Sequence, residues 1–260
     1  MINIRTTEEI ELLRLSNILV SKTLAEVAKI VKPGITTDEL DKRAEEFIRD
    51  NGGIPGFLGY NKYPKTLCTS INSQVVHGIP SKSILKEGDV VSVDCGVILN
   101  KYYGDSAYTF AVGEVIEPVI KLLKVTRESL FKAIEVAIEG RRVGDIGNAV
   151  QSYCETNGYS VVREMVGHGL GTKLHEAPEV PNYGKKGTGP MLKKGMVICI
   201  EPMINMGTKK IYQEADGWTV RTHDNKPSAH FELAIAIGKD KADILSTFSY
   251  VEEALGNREF

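Results

Sequence analysis

Residues Gly34 to Gly52, GITTDELDKRAEEFIRDNG, run parallel to Gly140 to Gly158, GRRVGDIGNAVQSYCETNG, at an offset of 106. Further along, Leu85 to Asp94, LKEGDVVSVD, matches Leu192 to Glu201, LKKGMVICIE, at an offset of 107. Two matches in the same order at nearly one offset predict two related halves, roughly residues 1–115 and 116–260, packed around a shared cleft. The period is far longer than the ~20–45 residues of a solenoid repeat. No linker rich in Pro, Gly or Ser and no low-complexity tract divides the chain, so 1–260 reads as a single domain.

Caps and periodicity supply the elements of each half. Thr6 with Glu9 makes a capping-box pattern that opens an amphipathic helix through about Val31, and Pro33-Gly34 ends it. Thr36 with Glu39 repeats the pattern for a second helix closed by Gly52-Gly53. From about Glu117 to Glu139, Ile120, Leu123, Leu130, Ala133, Ile134 and Ala137 recur at helical spacing. The runs 90–93, 108–112, 197–200 and 233–237 are short and rich in β-branched residues, as strands are. Helices on an antiparallel sheet, an α+β arrangement, follow from this order.

Five polar side chains stand awkwardly in that framework: Asp94, Asp105, His168, Glu201 and Glu232, four of them flanked by apolar residues or glycine. Ionised carboxylates are rarely buried in such surroundings unless something positive holds them there. Four carboxylates and one imidazole overcharge one cation but suit two divalent ions that share bridging oxygens. The set therefore reads as dinuclear and hydrolytic. Oxygen-rich coordination with one nitrogen favours Mn(II), Fe(II), Co(II) or Zn(II), whereas Ca(II) and Mg(II) rarely take a histidine.

Asp94 and Asp105 flank the segment 95–104, whose midpoint lies between Leu99 and Asn100. A hairpin turning there would set the two aspartates directly opposite one another, close enough to chelate one ion or bridge two. Taken alone, the pair reads equally well as two exposed aspartates on the outer face of a hairpin. Glu201 ends an apolar strand ahead of Pro202, and Glu232 lies between Phe231 and Leu233. His168 sits within GHGLG, 167–171, where glycines permit close backbone approach. His77 and His175 lack such acidic company; each reads either as a donor to a substrate carbonyl or as a residue that fixes its loop.

Composition narrows the functional classes. The 260 residues are 42% hydrophobic and 25% charged, with 32 Lys and Arg against 34 Asp and Glu, so no basic excess points to nucleic acid or an anionic membrane. The pairs Lys185-Lys186 and Lys209-Lys210 read as solvated turns. Cys68, Cys95, Cys154 and Cys199 show no CxxC spacing and no disulfide framework, which fits a reducing cytoplasm. The first residues lack an apolar signal core, and no apolar run is long enough to span a membrane.

In the ordered motifs VHGIP (76–80), SVDCG (92–96), GDSA (104–107), GHGLG (167–171), LHEAP (174–178), IEPM (200–203) and HFEL (230–233), the chain resembles the type I methionine aminopeptidases. These belong to the creatinase-like, pita-bread group of metallopeptidases, and the resemblance covers nearly the whole chain. It implies the pita-bread fold, two pseudo-symmetric halves with helices packed on a curved antiparallel sheet. It also implies a metal-dependent aminopeptidase that removes the initiator methionine when the next residue is small. Two divalent ions, Co, Mn, Fe or Zn, would be its cofactors.

Carried across residue by residue, the resemblance makes Asp105 and Glu232 bridge the metals, gives Asp94 to one of them, and gives His168 and Glu201 to the other. Glu201 would also manage the proton of the attacking water, His175 would contact the scissile carbonyl, and His77 the substrate backbone and new amine. The pocket for the methionine side chain would comprise Phe57, Tyr60, Tyr63, Cys68, Leu174 and Trp218. Implied substrates are peptides and nascent polypeptides with an N-terminal methionine, met at the ribosome or away from it, and handled by a cytoplasmic monomer without nucleic acid or membrane. No amino-terminal zinc-finger extension suggests ribosome docking.

This sequence departs from the family at five positions. Glutamine is usual where His230 stands, histidine at Leu233, threonine at Cys199, cysteine at Phe57 and an aromatic residue at Leu174. Strand alternation puts Cys199 on the same side as Glu201, which brings its thiol near the metal ligands. Two other functions are weighed against the first. A proline-directed aminopeptidase or prolidase of the same fold usually carries an extra amino-terminal domain and glycine after the Glu-Pro pair, where Met203 stands here. A non-catalytic peptide-binding pita-bread protein would normally have lost ligands, and all five are present.

Overall fold

The computed structural model describes residues 2–256. The first half begins with α1 (Thr7–Ile30) and α2 (Thr37–Asp50). Both expected capping boxes form: Thr6 and Thr36 accept from the backbone of Glu9 and Glu39, whose carboxylates bond back to the cap residues. Five strands follow: β1 (Ile54–Pro55), β2 (Leu67–Ile71), β3 (Gln74–Val76), β4 (Val90–Leu99) and β5 (Tyr102–Ala111). The second half repeats the opening with α3 (Glu117–Val136) and α4 (Val143–Thr156). Short strands β6 (Ser160–Val161), β7 (Gly167–Gly169) and β8 (Glu176–Val180) lead to β9 (Val197–Ile200). After it come β10 (Met203–Asn205), β11 (Ile211–Gln213), β12 (Val220–Thr222), β13 (Ser228–His230), β14 (Glu232–Ala236), β15 (Asp243–Ile244) and the terminal helix α5 (Ser249–Leu255).

The sequence echo has a backbone counterpart. Helices α2 and α4 start 106 residues apart, and strands β4 and β9 start 107 apart. Gly34 N–H donates to Leu85 C=O at 2.8 Å, and Gly140 N–H donates to Leu192 C=O at 3.0 Å. Thr36 bridges Ile84 as Arg142 bridges Met191. Gly34 and Gly140 occupy φ +94° and +84°, a region that costs a side-chain-bearing residue but not glycine. Each half thus turns into its second helix through the same device.

A nine-stranded antiparallel sheet, running β1-β4-β5-β14-β9-β7-β8 with β2 and β15 attached at its flanks, joins the two halves. Helix α1 packs across β4 and β5, α3 lies against α4, and α5 packs on α1. The principal core lies between helices and sheet and includes Leu24, Leu40, Ile48, Tyr108, Phe110, Leu123 and Phe231. Burying large apolar side chains such as these contributes about 1.5–3 kcal/mol each. A second apolar cluster, including Phe57, Tyr63, Cys68 and Leu174, lies apart from it.

Two sequence expectations change in extent. Helix α3 ends at Val136, three residues before Glu139, because Ala137 leaves helical geometry at ψ 65° and Glu139 N–H pairs instead with Gly238 C=O at 2.9 Å. The expected strands 90–93 and 108–112 belong to a longer hairpin, whose pairing continues from Val90 with Ala111 to Leu99 with Tyr102. Among the described residues, no helix is long and apolar enough to cross a membrane. Met1 and residues 257–260 of the expected single domain lie outside the described residues.

Candidate metal centre and substrate cleft

The β4–β5 hairpin corrects one expectation. Its turn is Asn100-Lys101, with φ +52° and +71°, the primed geometry that matches the twist of paired strands. The pairing centre therefore lies one residue beyond the expected midpoint. Asp94 faces Ala107, and Asp105 faces Gly96, so the aspartates are diagonal neighbours rather than direct opposites. A shift by an even number of positions keeps both on one face of the sheet.

Adjacent strands add the other side chains to that face. Glu232 of β14 pairs with the same Ala107 that faces Asp94. Leu233 pairs with Ile200, and the same register carried one residue past β9 sets Glu201 beside Glu232. On the far side of β9, Gly169 pairs with Ile198, which brings the neighbouring His168 to the level of Cys199. Ligand atoms of Asp105, His168, Cys199 and Glu232 all lie within 4.8 Å of one another, as do those of Glu201, His230 and Glu232.

Asp105, His168 and Glu232 are buried, while Asp94 and Glu201 are half-buried at the cleft. Among the described residues, no Lys or Arg forms an ion pair with any of the four carboxylates. Buried Oδ1 of Asp94, Oδ1 of Asp105 and Oε1 of Glu232 have no hydrogen-bond partner. Burial, reinforced by Glu232, Asp94 and Glu201, raises Asp105 well above the ordinary carboxylate range. Burial and neighbouring negative charge do the same to Glu201 and Glu232. Acceptors gathered away from water and left without donors are the environment a divalent cation satisfies, so these residues fit a metal centre.

The histidines are suited to the same purpose. Burial pushes His168 down to about 3, so its ring is neutral. Its Nδ1 lies 3.0 Å from Gly169 C=O, which assigns the proton there and leaves the Nε2 lone pair facing Asp105 at 3.6 Å and Glu201 at 3.5 Å. Cys199 is buried, and its thiol lies among the ligand atoms of Asp105, His168 and Glu232, near the metal-binding set as strand alternation suggested. His175 stands at the exposed mouth, its Nδ1 2.8 Å from Tyr60 Oη and its ring edge-on to His168 at 4.4 Å. His77, at φ +61°, is pushed down to about 4 by burial and by the nearby His230 and His175.

All six expected pocket residues line the cavity that holds the metal-binding set. Cys68 of β2 pairs with Asp94, which fixes the pocket next to the carboxylates. Tyr63 Oη donates to Leu67 C=O at 2.9 Å and Gly78 C=O at 3.1 Å, and Trp218 meets the Tyr63 ring edge-on at 5.0 Å. Asp216 accepts from Trp218 N–H at 2.8 Å and from Thr219 N–H at 2.9 Å, anchoring the turn that carries the indole. Apolar and aromatic walls with one soft sulfur suit a thioether chain. Met165, Val166 and Met203 also line the cavity but were not expected there. His230 was noted only as a departure from the family. Strand alternation from Glu232 could have identified it, since residues two apart share a face.

The sequence profile of metallopeptidase family M24 matches residues 11–238. The methionine aminopeptidase of Clostridium acetobutylicum is 50% identical over 247 residues, covering 95% of this chain and 99% of that protein. The crystal structure of methionine aminopeptidase from Rickettsia prowazekii superposes with a TM-score of 0.94 at 43% identity, over 95% of this chain and 100% of that one. The Xaa-Pro dipeptidase from Bacillus anthracis, 21% identical with a TM-score of 0.76, shares the fold over 94% of this chain and 62% of its own.

Proposed function

The chain belongs to metallopeptidase family M24 and removes the N-terminal methionine from peptides and proteins, and we propose that it does so with the carboxylates and histidines of this cleft. The observation that carries the assignment of residues is the convergence of partnerless buried carboxylate oxygens with aromatic and apolar walls in one cavity. The enzyme uses divalent metal. Our reading places two ions, Co, Mn, Fe or Zn, on Asp94, Asp105, His168, Glu201 and Glu232. Such ions polarise a carbonyl and make water nucleophilic at neutral pH.

The chain's own residues do the remaining work. Phe57, Tyr60, Tyr63, Cys68, Leu174 and Trp218 hold the methionine side chain, which fixes the first peptide bond against the carboxylates. Glu201, its carboxylate set in the cleft 3.5 Å from His168 Nε2, accepts the proton of the attacking water and passes it to the departing amine. His175, oriented by Tyr60, donates to the scissile carbonyl as negative charge develops there. His77, held beside Trp218 at a ring separation of 6.4 Å, contacts the substrate backbone and new amine. A small second residue is required on this reading, as the resemblance to the methionine aminopeptidases implies.

The same reading takes the chain as one catalytic domain whose halves meet between β5 and α3. It works as a cytoplasmic monomer on peptides and nascent polypeptides with an N-terminal methionine, at the ribosome or away from it. The four cysteines, all buried free thiols, support a reducing setting. The test is reconstitution of metal-free protein with Mn(II), Fe(II) or Co(II) and assay on three peptides. Met-Ala-Ser should turn over far faster than Met-Lys-Ser or Ala-Pro-Ser, and preference for the proline peptide would refute the reading.

A further inference from the structure

We propose that His230 is itself a ligand of the metal centre, a second imidazole nitrogen alongside His168. The inference rests on the reading that Asp94, Asp105, His168, Glu201 and Glu232 hold divalent ions. It goes beyond that set because the family's usual residue at this position is glutamine.

His230 is 1% exposed, and its Nε2 has no hydrogen-bond partner. A buried ring nitrogen in that condition is costly unless something outside the protein meets it. It points at Glu201, whose carboxylate stands between two imidazoles: Oε1 is 3.5 Å from His168 Nε2, and Oε2 is 3.6 Å from His230 Nε2. Both separations exceed the roughly 2.7–3.2 Å of an N–H···O hydrogen bond. Two ligand atoms about 2.1 Å from one tetrahedral ion stand about 3.4 Å apart. His230 is therefore related to Glu201 as His168 is, and a ring nitrogen of His230 lies within 4.8 Å of carboxylate oxygens of Glu201 and Glu232.

The backbone holds the ring there. His230 pairs with Met203, two residues beyond Glu201, so the β10–β13 pairing holds the two residues in adjoining backbone. Thr109 Oγ1 accepts from His230 N–H at 2.9 Å and donates to His230 C=O at 2.7 Å, and Ser92 Oγ lies 2.8 Å from that same hydroxyl. Hydrogen bonds of this kind orient ligands and tune their affinity. A second nitrogen, where an amide usually stands, shifts the site toward Co(II), Fe(II) and Zn(II) and away from Mg(II) and Mn(II).

Proton NMR of the Co(II)-loaded protein counts coordinated imidazoles, because each contributes its own hyperfine-shifted N–H resonance. Wild type should show two at full loading, with His230→Gln and His168→Gln each showing one. Isothermal titration should show Co(II) affinity in His230→Gln reduced at least ~10-fold at one site, with circular dichroism confirming the fold. An equal count in wild type and His230→Gln overturns the proposal and makes His230 a hydrogen-bond partner of Glu201 or of the peptide. Failure of wild type to bind Co(II) overturns the metal-centre reading itself.

Discussion

Asp94 and Glu232 face one another across a single residue, Ala107, which pairs with Asp94 on one side and Glu232 on the other. Ala107 is fully buried, and its methyl group shares their face of the sheet. A larger side chain there would fill the space between the carboxylates without removing any ligand. Ala107→Val is therefore expected to weaken Co(II) binding at least ~10-fold, with about 1–3 kcal/mol lost to overpacking. Titration calorimetry beside a thermal melt would check this, and unchanged affinity would place the ions elsewhere.

Glu201→Gln keeps the size of the side chain while removing its basicity. It is expected to fold normally and to lose at least ~10²-fold in kcat on Met-Ala-Ser, the usual scale for loss of an acid–base group. The measurement should be made at saturating metal, so that weakened coordination is not mistaken for lost proton transfer. Near-normal turnover would remove Glu201 from the proton role.

Stripped of metal, the protein is expected to lose stability as pH rises from about 6.5 to 8. Burial, with mutual repulsion, raises Asp105, Glu201 and Glu232 well above ordinary carboxylates. The folded protein then holds protons that the unfolded chain has released. That stabilisation is fully present below about pH 4 and is lost as pH climbs through the folded-state values. His77 and His168, depressed by burial to about 4 and about 3, act in the opposite sense, but only below the free-imidazole value of about 6.5. Above it the carboxylates set the slope, up to about 1.4 kcal/mol per pH unit for each proton. Metal keeps them ionised and should remove the slope. Melts with EDTA and with Co(II) across this range are the check, and a flat metal-free profile would contradict the cluster's electrostatics.

Much of this arrangement was legible in the sequence because it is locally encoded. Thr6 with Glu9 and Thr36 with Glu39 announce helix starts within four residues, and the repeat at 106–107 announces the pairing of halves. The hairpin register was not legible, since no nearby residue signals that Asn100 and Lys101 both adopt positive φ. His230 was legible only in part. Its spacing of two from Glu232 hints at a shared face, but the backbone that aims its ring is held by Thr109, 121 residues away, and no local pattern encodes that contact. Pocket residues such as Met165 and Met203 carry no charge or motif, so only the assembled cleft reveals them.

Phe57 lies in the pocket wall against Gly96, where an added Cβ would overlap its ring. Gly96 N–H and C=O stay within the sheet, and Gly56 N–H donates to Gly96 C=O at 2.7 Å, so the backbone cannot readily withdraw. Gly96→Ala should therefore displace Phe57 into the methionine pocket and raise KM for Met-Ala-Ser roughly tenfold, the worth of about one methylene in such a pocket. Co(II) affinity should stay near wild type, because no ligand moves. Combining it with Phe57→Leu, which vacates the ring's volume, should restore part of the loss, since residues in contact couple in double-variant cycles. A KM that rises without any rescue would mean that Gly96 acts through Asp105, its partner on β5, rather than through the pocket wall.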